Sequence, residues 1–232
     1  MNKQQEAIQH AKRALPEFVY DAAQLEGINF TLIEVKTLLD GVTIGGKKLS
    51  DQEIVINQKN AWEFLFDAIS RGIFGMSSSF VCKLHSIAGL NEALEWGKFR
   101  SKEVTIAGTK YCPPKATDLV EHWNKIEHCY ASNFPEEKIY TYAIEVFLKM
   151  ARYKFFFDVN KRMGRFMMNG ILLSHGYPAI NLPSSSKEEF NKLMLEFYPT
   201  GKTEAMVEFM KSHLDERIVS SMGYEIDKLL GM

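Results

Sequence analysis

The sequence predicts an all-α fold with one small β-hairpin, and two patterns support this prediction. Apolar residues recur at helical spacing through most of the 232 residues, as between Leu32 and Leu39. Glycines and prolines that end helices separate these stretches. The segment 99–111 combines a short β-branched run, at 104–106, with a glycine turn, at Gly108. That combination predicts the single hairpin.

The helices are expected where the periodicity is strongest and where start and stop signals agree. Ser50 and Glu53 have the spacing of a capping box and predict a helix start at residue 50. Gly176 and Pro178 should end the helix that begins near residue 160. The expected helices span about 3–25 with a break near Pro16, then 30–39, 50–70, 79–90, 116–130, 135–152, 160–175, 186–195 and 204–218.

Composition excludes several classes of protein. The chain is 46% hydrophobic and 12% aromatic, as expected for an ordinary folded core. Its net charge of −1, without a long basic tract, predicts no nonspecific nucleic-acid binding. Because no signal-peptide pattern is seen and no apolar run approaches ~20 residues, no membrane span is expected. The 3 cysteines lack metal-binding spacing and are expected to be reduced thiols in a cytoplasmic protein.

The segment 154–165 carries the residues that point to a function, and its sequence is Lys-Phe-Phe-Phe-Asp-Val-Asn-Lys-Arg-Met-Gly-Arg. Lys161, Arg162 and Arg165 fall near the start of a helix, where the helix dipole disfavours cations unless an anion is bound. Asp158 lies just upstream, where it could hold a divalent metal. The alternative is a solvated basic turn in which Asp158 or Asn160 is a simple N-cap.

This segment, called here the signature segment, resembles the signature of Fic-domain proteins, His-Pro-Phe-x-Asp/Glu-Gly-Asn-Gly/Lys-Arg-x-x-Arg. The matching positions are Phe156, Asp158, Asn160, Lys161, Arg162, Gly164 and Arg165. Residues 97–114, the flap segment, resemble the hairpin flap of the family, and 164–178 resemble the helix and turn after its signature. The resemblance covers about 60–212 and implies a Fic-type helical bundle. It divides the chain into an N-terminal helical extension, 1–59, and a Fic core, 60–232.

The resemblance also implies a function, because Fic proteins most often transfer AMP from ATP to a hydroxyl group of a target protein. It implies ATP and Mg²⁺ as cofactors, and a protein target or regulatory partner; a homo-oligomer is also compatible with it. The implied metal ligand is Asp158. The implied nucleotide-binding residues are Asn160, Lys161, Arg162, Gly164 and Arg165. The implied target-binding flap residues are Val104, Thr105 and Ile106.

Three departures from the family pattern bear on activity. Lys154 stands at the position of the catalytic histidine, Phe155 replaces the proline, and Val159 replaces the glycine before the asparagine. An unperturbed lysine has a pKa of about 10.4 and is a poor general base at neutral pH. Weak or absent AMP transfer is therefore expected. The alternatives are a catalytically silent regulator that binds nucleotide or a partner, and a phosphotransferase variant.

A second block, residues 22–27, has the sequence Ala-Ala-Gln-Leu-Glu-Gly. It resembles the inhibitory motif of Fic proteins, Ser/Thr-x-x-x-Glu-Gly/Asn, with Ala22 in place of the hydroxyl residue. The resemblance implies that Glu26 pairs with Arg165 and blocks placement of the γ-phosphate. The alternative is a surface glutamate at a helix end that Gly27 terminates.

Overall fold

The computed structural model describes residues 2–131 and 136–230, and these residues form α-helices joined by loops and 3₁₀ turns. The all-α prediction is confirmed for these residues. The helices are α1 (Lys3–Arg13), α2 (Leu15–Leu25), α3 (Leu32–Leu39), α4 (Leu49–Ser70), α5 (Ser78–Ala88), α6 (Leu119–Ala131), α7 (Ile139–Tyr153), α8 (Asn160–Ser174), α9 (Lys187–Thr200), α10 (Glu204–Lys211), α11 (Glu216–Ser221) and α12 (Ile226–Leu230). The start expected at residue 135 lies outside the described residues.

Helices α7 and α8 form the centre of the fold and pack side by side. Most of their side chains are buried, and α8 also contacts α1, α4 and α5. Gly164 allows this close packing, because a Cβ atom at that position would lie 2.8 Å from Cδ2 of Phe147 and 3.0 Å from its carbonyl oxygen. Burial of apolar surface around this pair is the main stabilising contribution to the fold.

The helix that precedes Glu26 is fixed against the core at two places. The ring of Phe18, on α2, lies 5.1 Å from Trp62, which in turn meets Phe166 of α8 edge-on at 5.3 Å. The carboxylate of Asp21 accepts hydrogen bonds from Nδ2 of Asn181 at 2.6 Å and from the backbone N–H of Ser184 at 2.8 Å. The end of α2 is therefore held in a defined position relative to α8.

The helix start expected at Ser50 is wrong by one residue, and the expected capping box of Ser50 and Glu53 does not form the start of this helix. Helix α4 begins at Leu49 after Lys48, which makes no side-chain cap. The side chain of Gln52 instead makes two hydrogen bonds with the backbone of Ile44: its Oε1 accepts from the N–H of Ile44, and its Nε2 donates to the carbonyl oxygen of Ile44. Helix α4 then runs without a break across residue 60, where the sequence suggested a domain boundary.

The expected β-hairpin is not seen. Residues 99–111 contain no strand, and within the described chain no backbone–backbone hydrogen bond joins the two arms of this segment. The second arm cannot easily form a ladder, because the N–H of Tyr111 bonds the hydroxyl of Thr109 and Pro113 and Pro114 have no N–H group. The β-branched residues 104–106 thus have no partner strand, although the glycine turn is present at Gly108 (φ 82°).

None of the helices in the described parts of the chain is long and apolar enough to cross a membrane. The cysteines Cys82, Cys112 and Cys129 are free thiols.

Candidate functional site

Residues 154–159 of the signature segment form a tight loop between α7 and α8, and the side chain of Asn160 holds this loop closed. Oδ1 of Asn160 accepts the backbone N–H of Phe156 at 2.9 Å, and its Nδ2 donates to the carbonyl oxygen of Phe156 at 2.8 Å. Nδ2 also lies 3.3 Å from the carbonyl oxygen of Asp158. Phe155 and Phe156 are fully buried beneath the loop. The amide of Asn160, which was expected to bind nucleotide, is thus engaged in shaping the loop.

Val159 adopts a left-handed backbone conformation, with φ 63° and ψ 7°. A β-branched residue there is strained by about 1–3 kcal/mol, and its buried side chain helps to hold it in place. The valine therefore keeps the backbone conformation that the family's glycine would adopt freely. Val159 precedes α8 and makes no side-chain cap, so the alternative of a simple N-cap at Asp158 or Asn160 is wrong.

Asp158 is an exposed residue of this loop. Its Oδ1 accepts a hydrogen bond from the backbone N–H of Val159 at 2.8 Å. Among the described residues, no group of three or more His, Cys, Asp or Glu side chains could hold a metal ion. Mg²⁺ bound together with nucleotide needs only one or two carboxylates, since phosphates and waters complete its shell. A single carboxylate at Asp158 fits that requirement.

Two buried arginines lie three residues apart on one face of α8. Arg162 is 3% exposed and Arg165 is 9% exposed. Nη2 of Arg165 lies 3.5 Å from Oε1 of Glu26, and Nη2 of Arg162 donates to Oε1 of Glu92. Within the described chain, Nε and Nη1 of Arg162 and Nη1 of Arg165 have no partner. Because a guanidinium has no acceptor, these buried N–H groups fit an oxygen-rich or anionic ligand.

A small cavity of about 20 Å³ adjoins the two arginines. That volume is room for about one water molecule. Gln58 lines it, and Nε2 of Gln58 is another buried donor without a partner among the described residues. Ala22 lines the same cavity, at the position where the inhibitory motif has a hydroxyl side chain. Among the described residues, the buried side-chain atoms without partners in the residues that line this cavity are therefore all donors.

Glu26 is the C-cap of α2, and its side chain is 26% exposed. Burial raises the pKa of its carboxyl group, but four surrounding cations outweigh burial and hold the pKa below its usual value. These cations are Lys161, Arg165, Arg162 and Lys154. Glu26 is therefore a carboxylate at neutral pH, and it faces most of the positive charge of the signature segment.

Lys154 follows α7 in a left-handed conformation (φ 51°) and is half-buried. Burial lowers the pKa of its ammonium group, and the positive charge of Lys161 acts in the same direction. The carboxylates of Asp158 and Glu26 oppose this shift, but the pKa of Lys154 remains below its usual value. Burial also lowers the pKa of Arg165 to about 10, which still leaves its guanidinium charged at neutral pH.

Two residues of the site carry no signal in the sequence that would have assigned them a role. Glu92 lies in the loop after α5, and it meets Arg162 although 70 residues separate them in sequence. Arg100, in the flap segment, is 2% exposed and donates to the carbonyl oxygens of Lys154, Lys102 and Pro114. Both contacts are long-range or depend on loop geometry, which residue spacing does not predict.

The structure thus brings Glu26, Asp158, Lys154, Lys161 and both arginines together at the start of α8. Gly164 faces α7 instead. In the flap segment, Thr105 is exposed, Val104 is partly buried and the side chain of Ile106 is buried.

Comparisons with known proteins agree with this geometry. Residues 75–172 match the family model described as Fic/DOC family. The chain is 25% identical over 193 residues to "Protein adenylyltransferase Fic" of Drosophila virilis, a match that covers 79% of this chain and 38% of that protein. The protein of the same name from Drosophila melanogaster is 24% identical over 193 residues, with the same coverage. The chain thus spans about two fifths of the length of these relatives.

Two solved structures share the fold. Fic-1 from C. elegans superposes with a TM-score of 0.79 at 20% identity, over 92% of this chain and 65% of that chain. A Fic domain containing signaling protein from Bacteroides thetaiotaomicron gives a TM-score of 0.76 at 19% identity, over 98% and 91% of the two chains. At these identities the likeness shows the fold alone. Together with the family match, it makes the all-helical bundle a Fic-type fold. The chain is therefore similar to the Fic/DOC family over residues 75–172 and shares the fold of the two Fic structures.

Proposed function

We propose that the chain binds ATP with Mg²⁺ at the start of α8, as an adenylyltransferase-type protein whose own AMP transfer is weak or absent. The observation that carries this proposal is the pair of buried arginines, Arg162 and Arg165, which share a helix face and keep N–H groups without protein partners. Phosphate oxygens are the acceptors that guanidinium groups bind most strongly. Relatives named protein adenylyltransferase support ATP as the ligand.

Each residue of the site has a distinct part in this proposal. Arg162 and Arg165 donate to phosphate oxygens, and Lys161 adds positive charge at the end of the helix dipole that already favours anions. Asp158 holds Mg²⁺, which when bound neutralises part of the phosphate charge. Asn160 and Gly164 act indirectly, since the first fixes the loop and the second lets α8 lie close to α7.

Transfer of AMP to a protein hydroxyl requires a base that accepts the proton of that hydroxyl. Lys154 stands where the family has its histidine; burial lowers the pKa of its ammonium group, and the carboxylates of Asp158 and Glu26 oppose this shift. A protonated ammonium cannot act as a base, so only the neutral fraction of Lys154 supports transfer. The flap residues Val104 and Thr105 are proposed to hold the target segment through backbone groups that have no ladder partner.

A second candidate is a regulator that binds nucleotide and does not transfer AMP. The charges of Asp158 and Glu26 favour it, because they oppose the lowering of the Lys154 pKa by burial, and a lysine that stays protonated serves as a fixed cation near the phosphates. Both candidates share the nucleotide site and differ only in whether transfer occurs.

Glu26 is proposed to oppose nucleotide binding in either case. Its carboxylate lies 3.5 Å from Arg165, so it occupies a guanidinium that a phosphate would also use. An incoming phosphate must displace this carboxylate or share the arginine with it. The expected affinity of the wild type for ATP is therefore low.

The experiment is calorimetric titration of the wild type and of Arg162→Ala with ATP and Mg²⁺. Loss of one or more charge-assisted hydrogen bonds should weaken binding at least about tenfold. Arg71→Ala is the matched control, because Arg71 is 65% exposed and pairs with Asp67, one turn earlier on α4. Equal affinity of Arg162→Ala and the wild type would place the nucleotide elsewhere on the protein.

A further inference from the structure

Glu92 is the second acidic residue that contacts the arginines, and no sequence motif assigns it a role. It lies in the loop between α5 and the flap segment, and its side chain is 17% exposed. Oε1 of Glu92 accepts from Nη2 of Arg162, whose side chain is 3% exposed. Two segments that are distant in sequence, the end of α2 and the loop after α5, therefore each place a carboxylate on one of the two arginines.

The loop holds Glu92 in a defined position. The backbone N–H groups of Glu92 and Ala93 both bond the carbonyl oxygen of Gly89, at 3.2 and 3.1 Å. The carbonyl oxygen of Leu90 accepts Nδ2 of Asn57 at 2.7 Å, and the side chain of Ala93 is buried. These contacts therefore fix the backbone on both sides of Glu92.

The contact between Glu92 and Arg162 involves one N–H group and one oxygen. Oε2 of Glu92 and the remaining buried N–H groups of Arg162 have no partner among the described residues. A two-bond arrangement, which is the stronger geometry for an arginine and a carboxylate, is thus not formed. The guanidinium keeps donors for another anion, and the carboxylate can be displaced without breaking a bidentate pair.

We propose that Glu92 is a second internal carboxylate that competes with nucleotide phosphate, acting at Arg162 as Glu26 acts at Arg165. The inference rests on the proposed function, because it presupposes that the two arginines bind phosphate. Both arginines are then occupied by the chain's own carboxylates, and full nucleotide binding requires that both be displaced. Removal of Glu26 alone relieves only one of the two contacts.

The test compares four proteins by calorimetry with ATP and Mg²⁺: the wild type, Glu26→Gly, Glu92→Gln and the double variant. Glutamine keeps the shape of Glu92 and removes its charge. Glu92→Gln should bind at least about tenfold more tightly than the wild type, and the double variant should bind more tightly than either single variant. Glu95→Gln is the matched control, because Glu95 lies in the same loop and binds Lys98 and Ser101 instead.

Inorganic tripolyphosphate serves as a second probe, because it presents the phosphates without the nucleoside. It should gain affinity in Glu92→Gln by a similar factor. A thermal melt of each variant establishes that it is folded, and Glu92→Ala replaces Glu92→Gln if the latter is not.

Two results would overturn the inference, and they are distinguishable. Unchanged or weaker binding by Glu92→Gln, when Glu26→Gly binds ATP, would show that Glu92 does not compete with phosphate and at most orients Arg162. Absence of ATP binding in all four proteins would overturn the proposed function together with this inference.

Discussion

The guanidinium of Arg100 donates from Nε to the carbonyl oxygen of Lys154, 2.6 Å away, and the backbone N–H of Arg100 donates to the carbonyl oxygen of Phe155 at 2.9 Å. The base of the flap segment is therefore bound directly to the turn that carries the residue at the family's histidine position. A substitution that displaces one of these two segments should also displace the other, because they share these buried hydrogen bonds.

Arg100→Ala should lower the free energy of unfolding by about 3 kcal/mol or more, because it leaves buried carbonyl groups without donors. Urea unfolding followed by circular dichroism measures this change. Lys98→Ala is the control: Lys98 is 62% exposed and pairs with Glu95, so the effect should be below about 1 kcal/mol. A loss no larger for Arg100→Ala than for Lys98→Ala would contradict the anchoring role.

The left-handed conformation of Val159 predicts an unusual order of stabilities. Glycine adopts positive φ freely and alanine does not, so Val159→Gly should be more stable than Val159→Ala by about 1 kcal/mol. The same pair of substitutions at Val207, within α10, should give the opposite order, as in ordinary helices. Chemical unfolding of the four variants measures both differences. If alanine is the more stable replacement at both positions, Val159 is not left-handed.

His85 predicts how stability depends on pH. It is fully buried, stacks on Phe156 at 3.8 Å and accepts the N–H of Gly97 through Nδ1 at 3.1 Å. Burial lowers its pKa to about 4; the cation of Arg162 acts in the same direction, whereas Asp158 opposes the shift.

The unfolded chain, in which a histidine has a pKa of about 6.5, therefore binds the proton more readily than the folded chain. The contribution of His85 to stability is complete above about pH 6.5 and is lost as the pH falls towards 4, by about 3 kcal/mol in all. His85→Gln should flatten this part of the stability curve. An unchanged slope in the variant would show that other groups cause the dependence.

Lys154→His tests whether the missing base limits transfer. In the Glu26→Gly background, this substitution should raise AMP incorporation from ATP labelled on its α-phosphate into lysate proteins by about 10²-fold or more. No increase would mean that Phe155 or Val159 also prevents productive binding. Robust transfer by the wild type, increasing with pH and lost in Lys154→Ala, would instead make Lys154 a working base.

Most helices could be predicted from the sequence, because apolar periodicity and end signals are local. Thr31 and Glu34 form a real capping box at the start of α3, with both reciprocal hydrogen bonds present. The similar pattern at Ser50 and Glu53 does not cap α4, since Gln52 bonds the preceding loop instead. A pattern of residue types thus identifies a nearby helix start, but tertiary contacts decide which residue caps it.

The parts that could not be predicted depend on contacts between distant segments. The β-branched residues 104–106 suggested a strand, yet strand formation needs a partner arm, and the chain beyond Gly108 does not supply one. Glu92 and Arg162 are far apart in the sequence, and only the folding of the chain brings them into contact. The charged residues of the signature segment were found from sequence because they lie within twelve positions of one another.

The affinity of Glu26→Gly for ATP with Mg²⁺, compared with that of the wild type, decides whether Glu26 opposes nucleotide binding. The variant should bind ATP more tightly, because an internal carboxylate no longer competes for Arg165. It should also be less stable at neutral pH, because it loses an ion pair and places a flexible residue at the end of α2. Equal affinity of the two proteins for ATP, whatever the change in stability, would contradict competition between Glu26 and phosphate for Arg165.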